Sequence, residues 1–217
     1  ALKGSRINTD AKISVHPLSP DSCSSVFLAT IEYFPEEGMY HYDGHRKCGV
    51  SYSPEETLKK RGICSVCKKP VTVGVLNRLE KLADRTEAEL NVKDIKIGEV
   101  IGKTSKGRVP FVNLVTLDTI IAEAFDVGNK SKKVKTQYDE MLRTFGTELD
   151  ILMNLPLANL QLKTNNLRPE IIEGIRIMRS LELTITPGYD GEYGTVKIFN
   201  TKEKKQIKLG SKTLFDL

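Results

Sequence analysis

The chain has 217 residues, 39% of them hydrophobic and 6% aromatic, with no Trp and a net charge of +5. That length holds one domain or two small ones with modest cores. No apolar run approaches the roughly 20 residues of a membrane-spanning helix and no signal peptide shows at the start, so we expect a cytoplasmic protein with no membrane contact.

Residues 1–30 contain Pro17, Pro20 and a serine-rich stretch (Ser22, Ser24, Ser25) without periodicity. They read as a linker or the truncated edge of a preceding domain, and a chain opening on Ala1 fits a fragment of something longer. Cys23 reads as a plain buried thiol. The other three Cys lie in 31–110, the expected zinc-binding module. His45 and Cys48 form H-x2-C; after fifteen intervening residues Cys64 and Cys67 form C-x2-C. Paired thiolate and imidazole ligands two residues apart let one tight knuckle present both atoms to a tetrahedral ion. His41 offers an alternate ligand to His45, and the shorter loop favours His45. Four protein ligands leave no open position for water, so the expected zinc is structural. So polar a segment lacks its own core, and the metal supplies its folding energy.

Val71–Val75 is β-prone. Gly74 to Arg85 places Val75, Leu79 and Leu82 at helical spacing with charges opposite, an amphipathic helix. Residues 91–110, with Gly98, Gly102, Gly107 and Pro110, read as a loop holding a short strand.

Residues 111–200 are expected to be mainly helical. The helices run Leu117 to Phe125, Lys132 to Phe145 with Gly146 as an αL cap, Glu148 to Asn154 before Pro156, and Arg168 to Arg179 with Pro169 at the start. Leu183–Thr186 and Thr195–Phe199 flank PGYDGEYG and predict a β-hairpin with a longer loop. Residues 201–217 read as a flexible tail. The expected class is α+β: a small zinc-knuckle module, zinc-ribbon or treble-clef-like, then a helix-hairpin-helix-like region ending in the hairpin.

The segments YFPEEGMYHYDGHRKCGVSYSPEET, CSVCKKPVTVGVLNRLEKLADR, SKKVKTQYDEMLRTFGTELDILMNLP and PGYDGEYG together resemble the zinc-containing and carboxy-terminal helical region of the endonuclease Q family. The resemblance spans roughly residues 30 to 197. These are PHP-domain phosphoesterases, and the resemblance implies a DNA-repair hydrolase that nicks DNA 5′ of deaminated bases. It also implies a metal-dependent PHP domain ahead of the zinc module. The chain departs from that pattern in having only three His, too few for a PHP metal cluster that begins with H-x-H. In NTDAKI, Lys12 stands where the family's late metal motif has His, and Asn77 stands where relatives are expected to have His. No catalytic residue is therefore assigned to this chain.

DNA contacts are expected at Lys132, Lys133 and Lys135, which stand at a helix start where free N–H groups favour an anion. Arg78 is placed with them. Tyr189 and Tyr193 could stack on an unpaired base, although turn-stabilising hydrogen bonds explain the same loop. Phe145 to Arg179 resembles a helix-hairpin-helix whose turn would use Asn165 and Asn166; a plain helical core is the alternative. The terminal KTLFDL resembles a sliding-clamp-binding tail with Leu214 and Phe215 as anchors; packing on its own domain is the alternative. The leading expectation is a zinc-stabilised, DNA-binding part of an endonuclease Q-like repair protein. The alternative is a non-catalytic module coupling a helicase or nuclease to a sliding clamp.

Overall fold

A computed structural model describes residues 28–105, 107–162 and 167–199. The elements run β1 (Thr30–Glu32), β2 (Asp43–His45), β3 (Val50–Tyr52), α1 (Pro54–Lys59), α2 (Val75–Leu82), α3 (Glu87–Leu90), β4 (Lys93–Ile97), β5 (Val100–Thr104) and β6 (Phe111–Asn113). They continue with α4 (Leu117–Phe125), α5 (Lys132–Phe145), a π-helical turn at Asp150–Asn154, α6 (Leu157–Leu162), α7 (Pro169–Arg179), β7 (Thr184–Thr186) and β8 (Thr195–Lys197). This is a mixed α+β fold. Its apolar residues form two clusters, a large one under the helices and a small one around the cysteines.

The large core follows from helical periodicity. In α4, Leu117, Ile120, Ile121 and Ala124 are buried along one face; in α7, Ile171, Ile172, Ile175 and Met178 are. The two helices meet at Gly174, where a Cβ would press into the Ile120 side chain at 2.8 Å. Ser131 caps α5 by accepting from Val134 N–H at 3.3 Å, and Pro169 starts α7 at a position that needs no N–H. Gly146 ends α5 with φ 102° and ψ −137°, a positive-φ stop but not the αL cap expected.

Two expectations are corrected. Residues 91–110 contain a hairpin of two five-residue strands, β4 and β5, in a sheet ordered β1-β6-β5-β4. Its Gly98–Glu99 turn puts the left-handed residue first, with φ 60° at Gly98, as in type II′ turns. The turn tip docks on the helical region, where Glu99 N–H donates to the Met153 carbonyl at 2.6 Å. Val100 and Val112 lie in the large core, so β5 and β6 pack with the helices. In the second correction, Val71–Val75 forms no strand; it contributes one isolated bridge, Gly44 to Thr72.

The amphipathic helix is present as α2, but its apolar face is not buried. Val75, Leu79 and Leu82 are each more than half exposed, and Asn77 on the opposite side is buried. Among the described residues no helix is long and apolar enough to cross a membrane. Asn165, Asn166, Lys12, Cys23, Leu214 and Phe215 lie outside the described residues.

Candidate metal centre

β2 and β3 pair antiparallel, and the turn between them makes the first knuckle. Arg46–Cys48 forms a single 3-10 turn, and Gly49, at φ 63°, returns the chain into β3. The second knuckle closes on itself: Cys64 N–H donates to the Lys69 carbonyl at 2.8 Å, and Lys68 N–H to the Cys64 carbonyl at 3.0 Å. Reciprocal Gly44–Thr72 backbone bonds of 2.9 and 2.8 Å then join the two knuckles. The ligand atoms of His45, Cys48, Cys64 and Cys67 consequently all lie within 4.8 Å of one another, with Cys67 Sγ 3.2 Å from His45 Nδ1.

Three sulfurs and one imidazole at that separation fit an ion such as zinc, whose bonds of about 2.0–2.3 Å point to tetrahedral corners. The small cluster supports them, with Val50, Tyr52, Cys64 and Val71 buried and Cys48 and Cys67 against them. Tyr52 Oη accepts from Ser65 N–H at 3.0 Å, tying β3 to the second knuckle. The knuckle also tunes its sulfurs. The Cys67 N–H, followed by the Val66 N–H, points at the Cys64 sulfur and brings that thiol down to about 6. Burial, followed by hydrogen bonds from the neighbouring thiols, pushes Cys48 up to about 11. His41 is not among the four ligands; its ring stacks on Tyr42 with centroids 5.5 Å apart.

Asp43, invisible to motif reasoning, is fully buried beside the site. It accepts from Gly74 N–H and Asn77 Nδ2, both at 2.5 Å, and so fixes the start of α2 to β2. Asn77 thus serves as an internal partner of a carboxylate. The PGYDGEYG loop is a second contributor from far along the chain. Tyr42 N–H donates to the Gly188 carbonyl at 2.9 Å, and Tyr189 packs its ring on Gly44, where any Cβ would overlap it. Asp190 reaches the knuckle itself, accepting from Arg46 N–H at 2.7 Å and from Thr72 Oγ1 at 2.6 Å.

The expected DNA contacts fall in three places. Lys132, Lys133 and Lys135 are exposed on the first turn of α5, with Lys133 Nζ 4.4 Å from the centre of the Phe125 ring. Arg168 lies 5.1 Å from the same ring, a neighbouring cation that no motif singles out. Arg78 is exposed on α2. Of the loop tyrosines, Tyr193 is 74% exposed, whereas Tyr189 is half-buried against the β2–β3 hairpin.

Comparison with known proteins gives a consistent set of likenesses. The family described as the MJ0043 C-terminal domain matches residues 116–182. The MJ0043 protein of Methanocaldococcus jannaschii is 27% identical over 162 residues, covering 75% of this chain and 18% of that protein. The crystal structure of a lesion-specific endonuclease, endonuclease Q from Pyrococcus furiosus, superposes with a TM-score of 0.61 at 27% identity, over 78% of this chain and 38% of that one. Endonuclease Q in complex with a 27-mer duplex carrying an abasic lesion at the active site gives 0.58 at 28% identity, over 80% and 39%. This chain is built like part of endonuclease Q. It spans about two fifths of those endonuclease chains and under a fifth of the MJ0043 protein.

Proposed function

We propose that the chain is the DNA-binding, zinc-stabilised part of an endonuclease Q-like repair protein acting on deaminated bases, with strand cleavage carried by a PHP domain outside this chain. The observation that carries the reading is the likeness, over 80% of the chain, to an endonuclease Q solved on a lesion-bearing duplex. Zinc at His45, Cys48, Cys64 and Cys67, in a zinc-ribbon or treble-clef-like module, holds the scaffold. Phosphates are met by the exposed lysines 132, 133 and 135, where Phe125 gathers Lys133 and Arg168 over one ring. Arg78 and Tyr193 extend the contact, and α6 with α7 supplies the helix-hairpin-helix-like element. Leu214 and Phe215 are the anchors of a sliding-clamp contact in this reading.

Fluorescence anisotropy of the 217-residue chain on uracil-containing, abasic and intact duplexes, across a salt series, tests it. Binding that weakens linearly in log[salt], with preference for the damaged duplexes, is expected. Replacing Lys132 and Lys133 by Ala should lower the slope by about 2. No association with any duplex at about 100 µM would remove the DNA-binding reading. Salt-dependent binding that ignores the lesion would leave a DNA-binding module without damage recognition.

A further inference from the structure

Asp190 belongs to a loop whose composition, P-G-Y-D-G-E-Y-G, asks only for a turn. A turn-forming Asp spends its carboxylate on its own loop. Here both oxygens leave it. Oδ2 takes the Arg46 N–H, the amide lying between the ligands His45 and Cys48. Oδ1 takes the Thr72 hydroxyl, and Thr72 is the residue whose backbone pairs with Gly44, immediately before His45. Tyr189 covers Gly44 from the same side, and Arg46 meets Glu192 at 3.7 Å. The loop therefore grips the first knuckle on both sides of His45. Its other attachments run to the segment leading into β2: Gly188 N–H to the Glu36 carbonyl, Gly191 N–H to Met39 and Gly194 N–H to Glu37, at 2.8–3.1 Å.

We infer that Asp190 is a positioning residue of the metal centre, and that metal binding and docking of the 187–194 loop are one coupled equilibrium. The inference rests on the zinc reading of the four ligands. The bonds explain the coupling. A knuckle that has lost its ion loses the fixed orientation of the Arg46 amide, which Asp190 needs; a loop that has lost Asp190 leaves that amide and Thr72 free to reorient, so the ion must order them alone. The carboxylate acts here through hydrogen bonds rather than charge, because a three-thiolate site already carries excess negative charge.

The test measures zinc affinity of the 217-residue chain by competition with a chromophoric chelator. Asp190→Ala should weaken binding by about 10- to 100-fold, the usual cost of losing an outer partner of a metal ligand. Asp190→Asn keeps one acceptor oxygen and should lose less. Thr72→Val combined with Asp190→Ala should cost little beyond Asp190→Ala alone, because the two share one bond. Asp139→Ala, on the exposed side of α5, should change nothing. A second readout needs no substitution: stripping zinc from the unaltered chain should speed hydrogen exchange at the Gly188, Gly191 and Gly194 amides. Unchanged zinc affinity in Asp190→Ala, or unchanged protection of those amides on stripping, overturns the coupling while leaving the zinc site in place. A wild-type chain that takes up no zinc overturns the zinc reading and the coupling with it.

Discussion

At the scale of single residues, the side chains that hold this structure together are polar, buried and paired with partners far along the chain. Arg179 is 5% exposed and donates to the carbonyls of Ile151, Leu152 and Leu155 at 2.7–2.9 Å, closing the end of the π-helical turn. Burial lowers the pKa of its guanidinium, which remains a cation. Arg179→Met should destabilise the fold by about 3 kcal/mol in urea denaturation, because three carbonyls lose a charged donor. A loss below about 1 kcal/mol would show that water replaces it. Asn77→Leu removes the donor to Asp43 Oδ2 and should cost about 1–3 kcal/mol. Neither role was legible in the sequence. An Arg in the last turn of a helix reads as a dipole partner, and Asp43 reads as a turn residue, because nothing local names a partner 28 or 34 positions away.

At the scale of elements, helix signals were read well where the periodicity faces a core. The predicted Leu117 to Phe125 and Lys132 to Phe145 coincide with α4 and α5, since each buries one face; Ser131 caps α5 locally, whereas the first N–H of α4 is met by Glu148 from 31 residues on. The β4–β5 hairpin escaped because its glycines read as loop. Gly98 supplies the turn, and Gly102 lets the β6 backbone come close, a Cβ there meeting the Phe111 carbonyl at 2.7 Å. Gly98→Ala should destabilise by more than about 1 kcal/mol, since it strains a left-handed turn and drives a methyl into the Met153 carbonyl. A thermal shift within error would refute that. For α2 the expected amphipathic pattern is present, but its apolar face is open: Leu79 is 56% exposed. Leu79→Lys should therefore change stability by less than about 0.5 kcal/mol, as for an ordinary surface site; calorimetry showing a core-sized loss would contradict the exposed placement.

At the scale of the whole molecule, the two Cys/His knuckles and the helical core are joined through the PGYDGEYG loop and the strands that flank it, so loss of a metal held by the knuckles should be felt beyond the four side chains. Cys64→Ser should abolish stoichiometric zinc and the fold of residues 40–75; retained structure without zinc would refute the site. The affinity should also depend on pH with a definite sign. In the metal-free site Cys48 holds its proton at pH 7, being pushed up to about 11, whereas Cys64, at about 6, is already largely thiolate. Loading must displace at least the Cys48 proton, so affinity should rise by at least about tenfold per pH unit near neutrality. Below about pH 6 protons also compete at Cys64 and the loss steepens. Chelator competition between pH 5.5 and 8 reads this directly, and a flat profile would contradict it.

The sequence by itself picked out the three cysteines of the cluster, because two-residue spacing within a knuckle is a local constraint, and it determined the helices whose apolar stripe faces the core. It also carried the likeness to endonuclease Q. Only the tertiary structure decided that His45 rather than His41 joins the three cysteines, since loop length biases that choice but knuckle geometry makes it. Only the tertiary structure turned Tyr189 and Asp190 from a surface turn into a grip on the Cys/His cluster, and left the apolar face of α2 in the open. Those outcomes depend on which distant surfaces meet, and contacts between residues more than a hundred positions apart leave no periodicity in the chain to read.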